Sequence, residues 1–207
     1  MMEFLLTQHN LAEELPWFER LHITPTALGG FTEFDRSAVA VIGNGAFDRV
    51  HGPEIDAFPT VVRFNAFKTK GFEDLVGSKT TIHVLNSQNL GLALEDCENH
   101  VYLLIDTCTP GKMYEFYFAN VCRIRGLRII RPSSYQQLGR LLNGRYKTQG
   151  FFFTELARLH FSAVTIAGFS GHAHYFNPNW KMYTAHPLEA EHRKYTEWES
   201  DTFRQLR

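Results

Sequence analysis

Three apolar segments in the first half of the chain, each followed by an amide side chain, constrain the fold most. The segments and the residues that follow them are Ala38–Ile42 with Gly43-Asn44-Gly45, Thr60–Phe64 with Asn65, and Thr80–Leu85 with Asn86. Apolar, β-branched runs predict buried strands, and open α/β sheets bind ligands at the carboxyl ends of their strands. Asparagine and glycine are also ordinary turn residues, so three core strands that end in plain turns are an alternative.

The rest of the chain alternates strands with helices. Further strands are predicted at Val101–Ile105, Leu127–Ile130 and Ala163–Ala167, and helices at Gly111–Cys122, Tyr135–Leu142, Phe151–His160 and Leu188–Leu206. This alternation predicts the α/β class, as a single α/β/α domain with a mainly parallel, Rossmann-like twisted sheet. Leucines at roughly helical spacing in residues 1–35 predict a helical prefix that packs on a catalytic core formed by residues 36–207.

Composition excludes several classes of protein. The formal net charge of −1 gives no field that would attract nucleic acid, and no apolar run approaches the roughly 20 residues of a membrane span. The amino-terminal residues include early acids and no basic region, so we expect no signal peptide. The three cysteines, Cys97, Cys108 and Cys122, lack CxxC spacing, which favours free thiols in a reducing, cytoplasmic setting.

Two common kinds of site are disfavoured by details of spacing. A GxGxxG dinucleotide motif would need glycine at position 48, which is Asp48, so an NADP-binding oxidoreductase is only a distant alternative. His172, His174 and His186 have no cysteine or carboxylate at a zinc-ligand spacing, and the chain has no Asp-x-Asp pair for Mg²⁺. Without further information these histidines would be interpreted as solvated loop residues.

The order of the motifs, however, resembles the sialyltransferase family. The large motif of that family corresponds to VIGNG, GPEID, VVRFN and GFEDLVGSKTT, and the small motif to KTQGFFFTELARLHFSAVTIAGF. Motif III corresponds to His174-Tyr175-Phe176 and the very small motif to the HxxxxE of His186 and Glu191. The continuation IHVLNSQ is similar to the branch that sialylates the 6-hydroxyl of galactose. The resemblance covers about residues 38–191 and implies a GT-A-like variant of the fold.

The resemblance also implies an activity. The donor would be a CMP-activated 2-keto acid sugar, either sialic acid or 3-deoxy-manno-octulosonic acid, transferred with inversion and without a metal or other cofactor. His186 would be the general base, His174 would donate a hydrogen bond to the departing phosphate, and Glu191 would orient or cap the adjoining helix. Implied donor-binding residues are Gly43, Asn44, Gly45, Arg63, Asn65, Asn86, Thr148, Gln149, Gly150, Gly168 and Tyr175, and Gln88 is an acceptor-binding candidate. A non-catalytic relative that binds a nucleotide or a glycan is the other alternative.

The chain departs from the family pattern at several positions. Animal members join the large and small motifs by a disulfide, but the corresponding positions here hold Val39 and Ser162. Together with the lack of a membrane anchor, this predicts a cytoplasmic, bacterial relative that acts in polysaccharide biosynthesis. Its acceptor would be a glycan or a lipid-linked glycan, reached in solution or at the membrane periphery. Thr148-Gln149 stands where the family has Ser-Thr, which would alter contacts to the donor's carboxylate or phosphate.

Overall fold

The structure, a computed structural model, describes residues 3–5, 24–25, 31–86, 89, 91–92, 98–104, 128–130, 141–170, 174–177, 179 and 186–206. Its strands are β1 (Glu3–Leu5), β2 (Thr24–Pro25), β3 (Val39–Ile42), β4 (Thr60–Phe64), β5 (Ile82–Asn86), β6 (His100–Leu104), β7 (Arg128–Ile130), β8 (Leu141–Leu142), β9 (Arg145–Tyr146), β10 (Val164–Ala167) and β11 (Phe203–Gln205). Its helices are α1 (Gly52–Asp56), α2 (Glu73–Val76), α3 (Gln149–His160) and α4 (Leu188–Glu197). The chain forms two compact units, one of Met1–Thr32 with Ile82–Gly139 and the other of Glu33–Thr81 with Arg140–Arg207.

The first unit contains parallel strands in the order β5, β6, β7, β1, β2. Two short segments of the predicted helical prefix are therefore strands, because Glu3–Leu5 pairs with β7 on one side and with Thr24–Pro25 on the other. The intervening prefix residues lie outside the described part of the chain, as do Cys97, Cys108, Cys122 and the helix predicted at Gly111–Cys122.

The second unit contains parallel strands in the order β11, β10, β3, β4. Every residue of β3, β4 and β10 is buried, which is what apolar runs in a sheet covered on both faces predict. Helix α3 begins at its N-cap Thr148, whose hydroxyl accepts the Phe151 N–H at 3.1 Å. Its buried side chains include three consecutive phenylalanines, Phe151, Phe152 and Phe153. These elements bring the carboxyl ends of β3, β4 and β10 and the start of α3 into one unit.

The predicted α/β class and mainly parallel pairing are confirmed. The six predicted strands all exist, with ends that differ by a residue or two. Besides the prefix, two predicted helices were wrong in part. The helix predicted to end at Leu142 instead has Leu141 and Leu142 in β8, because Asn143 and Gly144 form a hairpin turn. The helix predicted over Leu188–Leu206 ends at Glu197, and Phe203–Gln205 becomes a strand because Phe203 is buried while it pairs beside β10.

No helix within the described ranges is long and apolar enough to cross a membrane.

The close approach of the β3 and β10 ends requires glycine. A Cβ on Gly43 would lie 2.3 Å from the backbone oxygen of Gly168, which cannot move away without shifting β10. We expect Gly43→Ala to lower the free energy of unfolding by about 1–3 kcal/mol, as overpacking in a core does. Urea denaturation measures this, with Gly91→Ala as the control, since a Cβ there meets nothing within 4 Å. Equal stability of the two variants would contradict the close approach.

Candidate active site

Two of the predicted donor-binding side chains meet at the end of β4. Asn65 follows the strand with φ 51°, a left-handed conformation that asparagine tolerates better than most residues. Its Nδ2 donates to Gln149 Oε1 at 2.8 Å, although the two residues are 84 positions apart. The other amide atom of Gln149, Nε2, is buried and has no hydrogen-bond partner among the described residues. This pair therefore leaves a donor group available at the start of α3.

The amino terminus of α3 also presents unpaired backbone donors. The cap hydroxyl of Thr148 is used by Phe151, while the N–H groups of Gln149 and Gly150 have no partner within the described part of the chain. The first N–H groups of a helix carry a partial positive charge and favour an anion. Chemically, the buried amide and these N–H groups together suit a phosphate or a carboxylate.

The Glu191 side chain is buried and stabilises the amino terminus of α3. Its carboxylate accepts the Thr148 N–H at 2.6 Å and the Thr148 hydroxyl at 2.7 Å, and the side chain is only 2% exposed. Burial raises the pKa of Glu191, although the two Thr148 hydrogen bonds and the nearby His186 partly offset this. Of the two roles predicted for Glu191, these contacts favour that of a structural cap.

His186 lies five residues before Glu191 and contacts the same short stretch of chain. Its Nδ1 is 2.9 Å from the backbone oxygen of Tyr146. Because a carbonyl only accepts, Nδ1 must carry the proton, which leaves Nε2 as the basic nitrogen of the neutral ring. Tyr146 was not predicted from the sequence, although Asn143-Gly144 is a strong hairpin signal that would have placed it.

Residues of motif III pack beside the β3 end. The Tyr175 N–H donates to the Asn44 backbone oxygen at 3.1 Å, and His174 forms a β-bridge with Gly45. Asn44 Nδ2 donates to the Phe64 oxygen at 3.0 Å. Burial lowers the pKa of His174, so the ring is neutral at neutral pH and can still donate one hydrogen bond.

The hydroxyl of Tyr175 has a structural partner. It accepts the Lys68 N–H at 3.1 Å and donates to the Lys68 backbone oxygen, and burial raises the pKa of Tyr175. The Tyr175 ring packs edge-on against Phe47 and Phe72. Tyr175 therefore holds the loop that follows Asn65, and its effect on a donor would be indirect.

Arg63 does not reach the candidate site as a free cation. Its guanidinium is 1% exposed and donates to the backbone oxygens of Lys79 at 3.1 Å, Val76 at 2.6 Å and Gly77 at 3.2 Å. Burial lowers the pKa of Arg63 to about 10, so the group stays charged at neutral pH. The donor contact predicted for Arg63 is therefore replaced by a role in fixing the end of α2.

The backbone N–H groups of Gly43 and Gly45, predicted to contact the donor, are used within the protein. The N–H groups of Gly43 and Gly45 donate to the backbone oxygens of Ala167 at 2.8 Å and Gly168 at 2.7 Å, so they are not free for a phosphate. These bonds join the turn after β3 to the turn after β10. The donor contact predicted for Gly43 and Gly45 therefore cannot use these two N–H groups, and the α3 terminus is the better candidate for binding an anion.

Two predicted residues belong to the first unit or lie outside the description. Asn86 Oδ1 accepts the Asn89 N–H at 3.1 Å and the Asn89 side-chain amide at 2.7 Å, which is the geometry of a local turn. Gln88 and His172 lie outside the described residues. No cluster of three or more His, Cys, Asp or Glu side chains that would hold a metal ion occurs within the described ranges.

Comparison with known proteins shows which proteins this chain is similar to. The model of the family Glycosyltransferase family 29 (sialyltransferase) matches residues 7–105. A crystal structure of a mammalian sialyltransferase in complex with Gal-beta-1-3GalNAc-ortho-nitrophenol has the same fold, with a TM-score of 0.60, 21% identity and coverage of 98% of this chain and 89% of that one. The chain is therefore similar in sequence to the sialyltransferases over residues 7–105, and it shares the fold of a mammalian sialyltransferase.

The matching sequences belong to one branch of the sialyltransferases. Beta-galactoside alpha-2,6-sialyltransferase 2 of Takifugu rubripes is 45% identical over 82 residues, which is 39% of this chain and 14% of that protein. The Homo sapiens protein of the same name is 46% identical over 56 residues, 27% of this chain and 11% of that protein. The aligned part of the chain thus spans a small share of these relatives' length. The predicted resemblance to the alpha-2,6 branch is confirmed.

The raised pKa of Glu191 predicts a pH dependence of stability. Between the ordinary value of 4.5 and the raised one, the folded protein holds a proton that the unfolded chain has released, so stability falls as pH rises through that interval. Glu191→Gln cannot titrate, and we expect its unfolding free energy to fall less steeply there. Glu189→Gln, an exposed carboxylate in the same helical turn, is the control and should keep the wild-type slope. Urea melts across this interval measure both, and a wild-type slope in Glu191→Gln would contradict the assignment.

Proposed function

We propose that the chain is an inverting glycosyltransferase that uses a CMP-activated sialic acid and transfers it to a hydroxyl of a glycan. One observation carries the proposal. Residues 146–148 are held at both ends by one segment, through His186 on Tyr146 and Glu191 on Thr148. A candidate base and a candidate anion site are thereby fixed to the same short stretch of backbone. The sialyltransferase relationship supports sialic acid as the transferred sugar.

The donor's anionic groups would bind at the start of α3. CMP carries one phosphate and sialic acid one carboxylate, and the unpaired N–H groups of Gln149 and Gly150 with the buried Gln149 amide suit such oxygens. His174, a neutral donor, is assigned to the departing phosphate, where a hydrogen bond strengthens as negative charge develops. Because a single phosphate leaves, these groups make a metal dispensable, and we propose a reaction without metal or other cofactor.

His186 would act as the general base. Its Nε2 would take the proton of the acceptor hydroxyl while that oxygen attacks C2 of the sugar, and the bond from C2 to the CMP phosphate oxygen breaks with its electron pair leaving on CMP. Attack opposite the leaving group inverts the configuration at C2. The Tyr146 oxygen remains hydrogen-bonded to Nδ1 throughout and stabilises the imidazolium that forms.

Finer assignments belong to the same proposal. The 6-hydroxyl of a galactose residue is the proposed acceptor group, supported by the similarity to the alpha-2,6 branch. 3-Deoxy-manno-octulosonic acid is the competing donor sugar, because it shares the 2-keto acid chemistry and the CMP leaving group. A cytoplasmic location is proposed from the three cysteines without CxxC spacing and from Val39 and Ser162 at the family's disulfide positions.

The donor site is tested by the affinity for CMP. Gln149→Ala removes the buried unpartnered amide and breaks the contact with Asn65, and we expect CMP to bind about 10- to 100-fold more weakly, or roughly 1–3 kcal/mol. Gln205→Ala is a matched control, since its Nε2 is likewise buried without a partner but lies on β11. Calorimetry that finds equal affinities for the two variants would remove Gln149 from the donor site.

The base is tested by turnover. His186→Ala should lower kcat by about 10²–10⁴, the usual share of general-base catalysis, with an unchanged affinity for CMP. The assay follows CMP release from CMP-sialic acid and from CMP-3-deoxy-manno-octulosonic acid, with a galactose-terminated acceptor and EDTA present. His192→Ala, an exposed histidine of α4, is the control. A normal rate in His186→Ala would exclude this base, and no turnover by the wild type would favour a non-catalytic binding protein.

A further inference from the structure

The hairpin formed by β8 and β9 has a geometry that bears directly on His186. Leu142 pairs with Arg145 and Leu141 pairs with Tyr146, so only Asn143 and Gly144 form the loop. Both have positive φ, 50° and 75°, which is the signature of a type I′ turn. This turn matches the twist of the two strands and fixes their register.

The register decides where the Tyr146 carbonyl points. Residues that flank a two-residue hairpin loop form a hydrogen-bonded pair, and the next pair along is a non-hydrogen-bonded pair. Leu141 and Tyr146 are that next pair, so the backbone oxygen of Tyr146 is directed away from the partner strand. This is the oxygen that accepts the His186 Nδ1–H at 2.9 Å. A register slip of one residue would turn it toward the partner strand instead.

We propose that the hairpin of residues 141–146 is a positioning element that selects the tautomer of His186 in which Nε2 is unprotonated. The inference rests on the proposed function for its catalytic meaning, because only a base needs that nitrogen free. A neutral imidazole with the proton on Nε2 would present a donor to the acceptor hydroxyl and could not take its proton. The Asn143-Gly144 turn therefore controls catalysis through a backbone oxygen, although neither residue contacts a substrate in this mechanism.

The experiment changes the turn without touching the histidine. A Cβ at Gly144 meets nothing within 4 Å, so a substitution there tests backbone conformation and not packing. Valine strongly disfavours positive φ, whereas asparagine tolerates it, and Gly144→Val and Gly144→Asn form a matched pair. Gly71→Val is the control, because it places valine at another positive φ, 84°, in equally open surroundings but outside the hairpin.

The tautomer is read from the imidazole ¹⁵N chemical shifts of histidine-labelled protein, well above the ordinary histidine pKa of about 6.5. His186→Gln identifies the resonances. We expect the proton on Nδ1 in the wild type, in Gly144→Asn and in Gly71→Val, and a population with the proton on Nε2 in Gly144→Val. A mixed tautomer in the wild type, or an unchanged one in Gly144→Val, would overturn the inference.

Turnover then separates this inference from the proposed function. With CMP-sialic acid, kcat of Gly144→Val should fall about tenfold, and Gly144→Asn should restore it to within about twofold of wild type. The tautomer measurement needs no turnover, so it decides the role of the hairpin by itself. A changed tautomer with an unchanged kcat would show that His186 is not the base, and the proposed function would fail at that step.

Discussion

The candidate site depends on one buried carboxylate. Glu191 is almost fully buried, and its two oxygens accept both donors of Thr148, the residue that caps α3. A buried carboxylate is costly unless its lone pairs are used, and here the cost is offset by charge-assisted bonds to a backbone and a hydroxyl group. Through this contact the segment that carries His186 is tied to the helix start that presents Gln149. Removing the carboxylate would leave both ends of residues 146–148 less constrained.

The sequence predicts correctly the positions of side chains that lie at the ends of predicted strands and helices. Asn65 ends a β-branched run and Thr148 precedes a helical one, so their places follow from local pattern, and Asn65 and Gln149 do meet. The family resemblance implied a donor contact for Arg63, which lies two residues before Asn65 in the large motif. The hydrogen-bond partners of Arg63, however, lie elsewhere in the sequence, because its guanidinium binds three backbone oxygens around the end of α2. The N–H groups of Gly43 and Gly45 are used in the same way by the turn after β10.

In the fold, too, some elements follow from the local sequence pattern and others from contacts with distant residues. Apolar runs rich in β-branched residues predicted strands β3, β4, β5, β6, β7 and β10, because strands of a sheet covered on both faces carry a continuous apolar signal. The hairpin and β11 are too short for such a signal. Asn143-Gly144 nevertheless encodes the hairpin turn, but the helical spacing of the residues before it predicts a helix up to Leu142 instead. Phe203 became part of a strand because Tyr195 and Trp198 provide aromatic surfaces for its ring.

The unit that holds the site is discontinuous in sequence, and this has a consequence for biosynthesis. Its first part, Glu33–Thr81, leaves the ribosome well before its second part, Arg140–Arg207, and strand β3 lies between β4 of the first part and β10 of the second. The pairing of β3 with β10 therefore joins residues that lie far apart in the sequence. Such long-range contacts form slowly, because a long loop must close first. Until residues beyond 164 emerge, one edge of β3 is unpaired and apolar, which exposes the nascent chain to aggregation. The two parts of the candidate site therefore come together only at that late step.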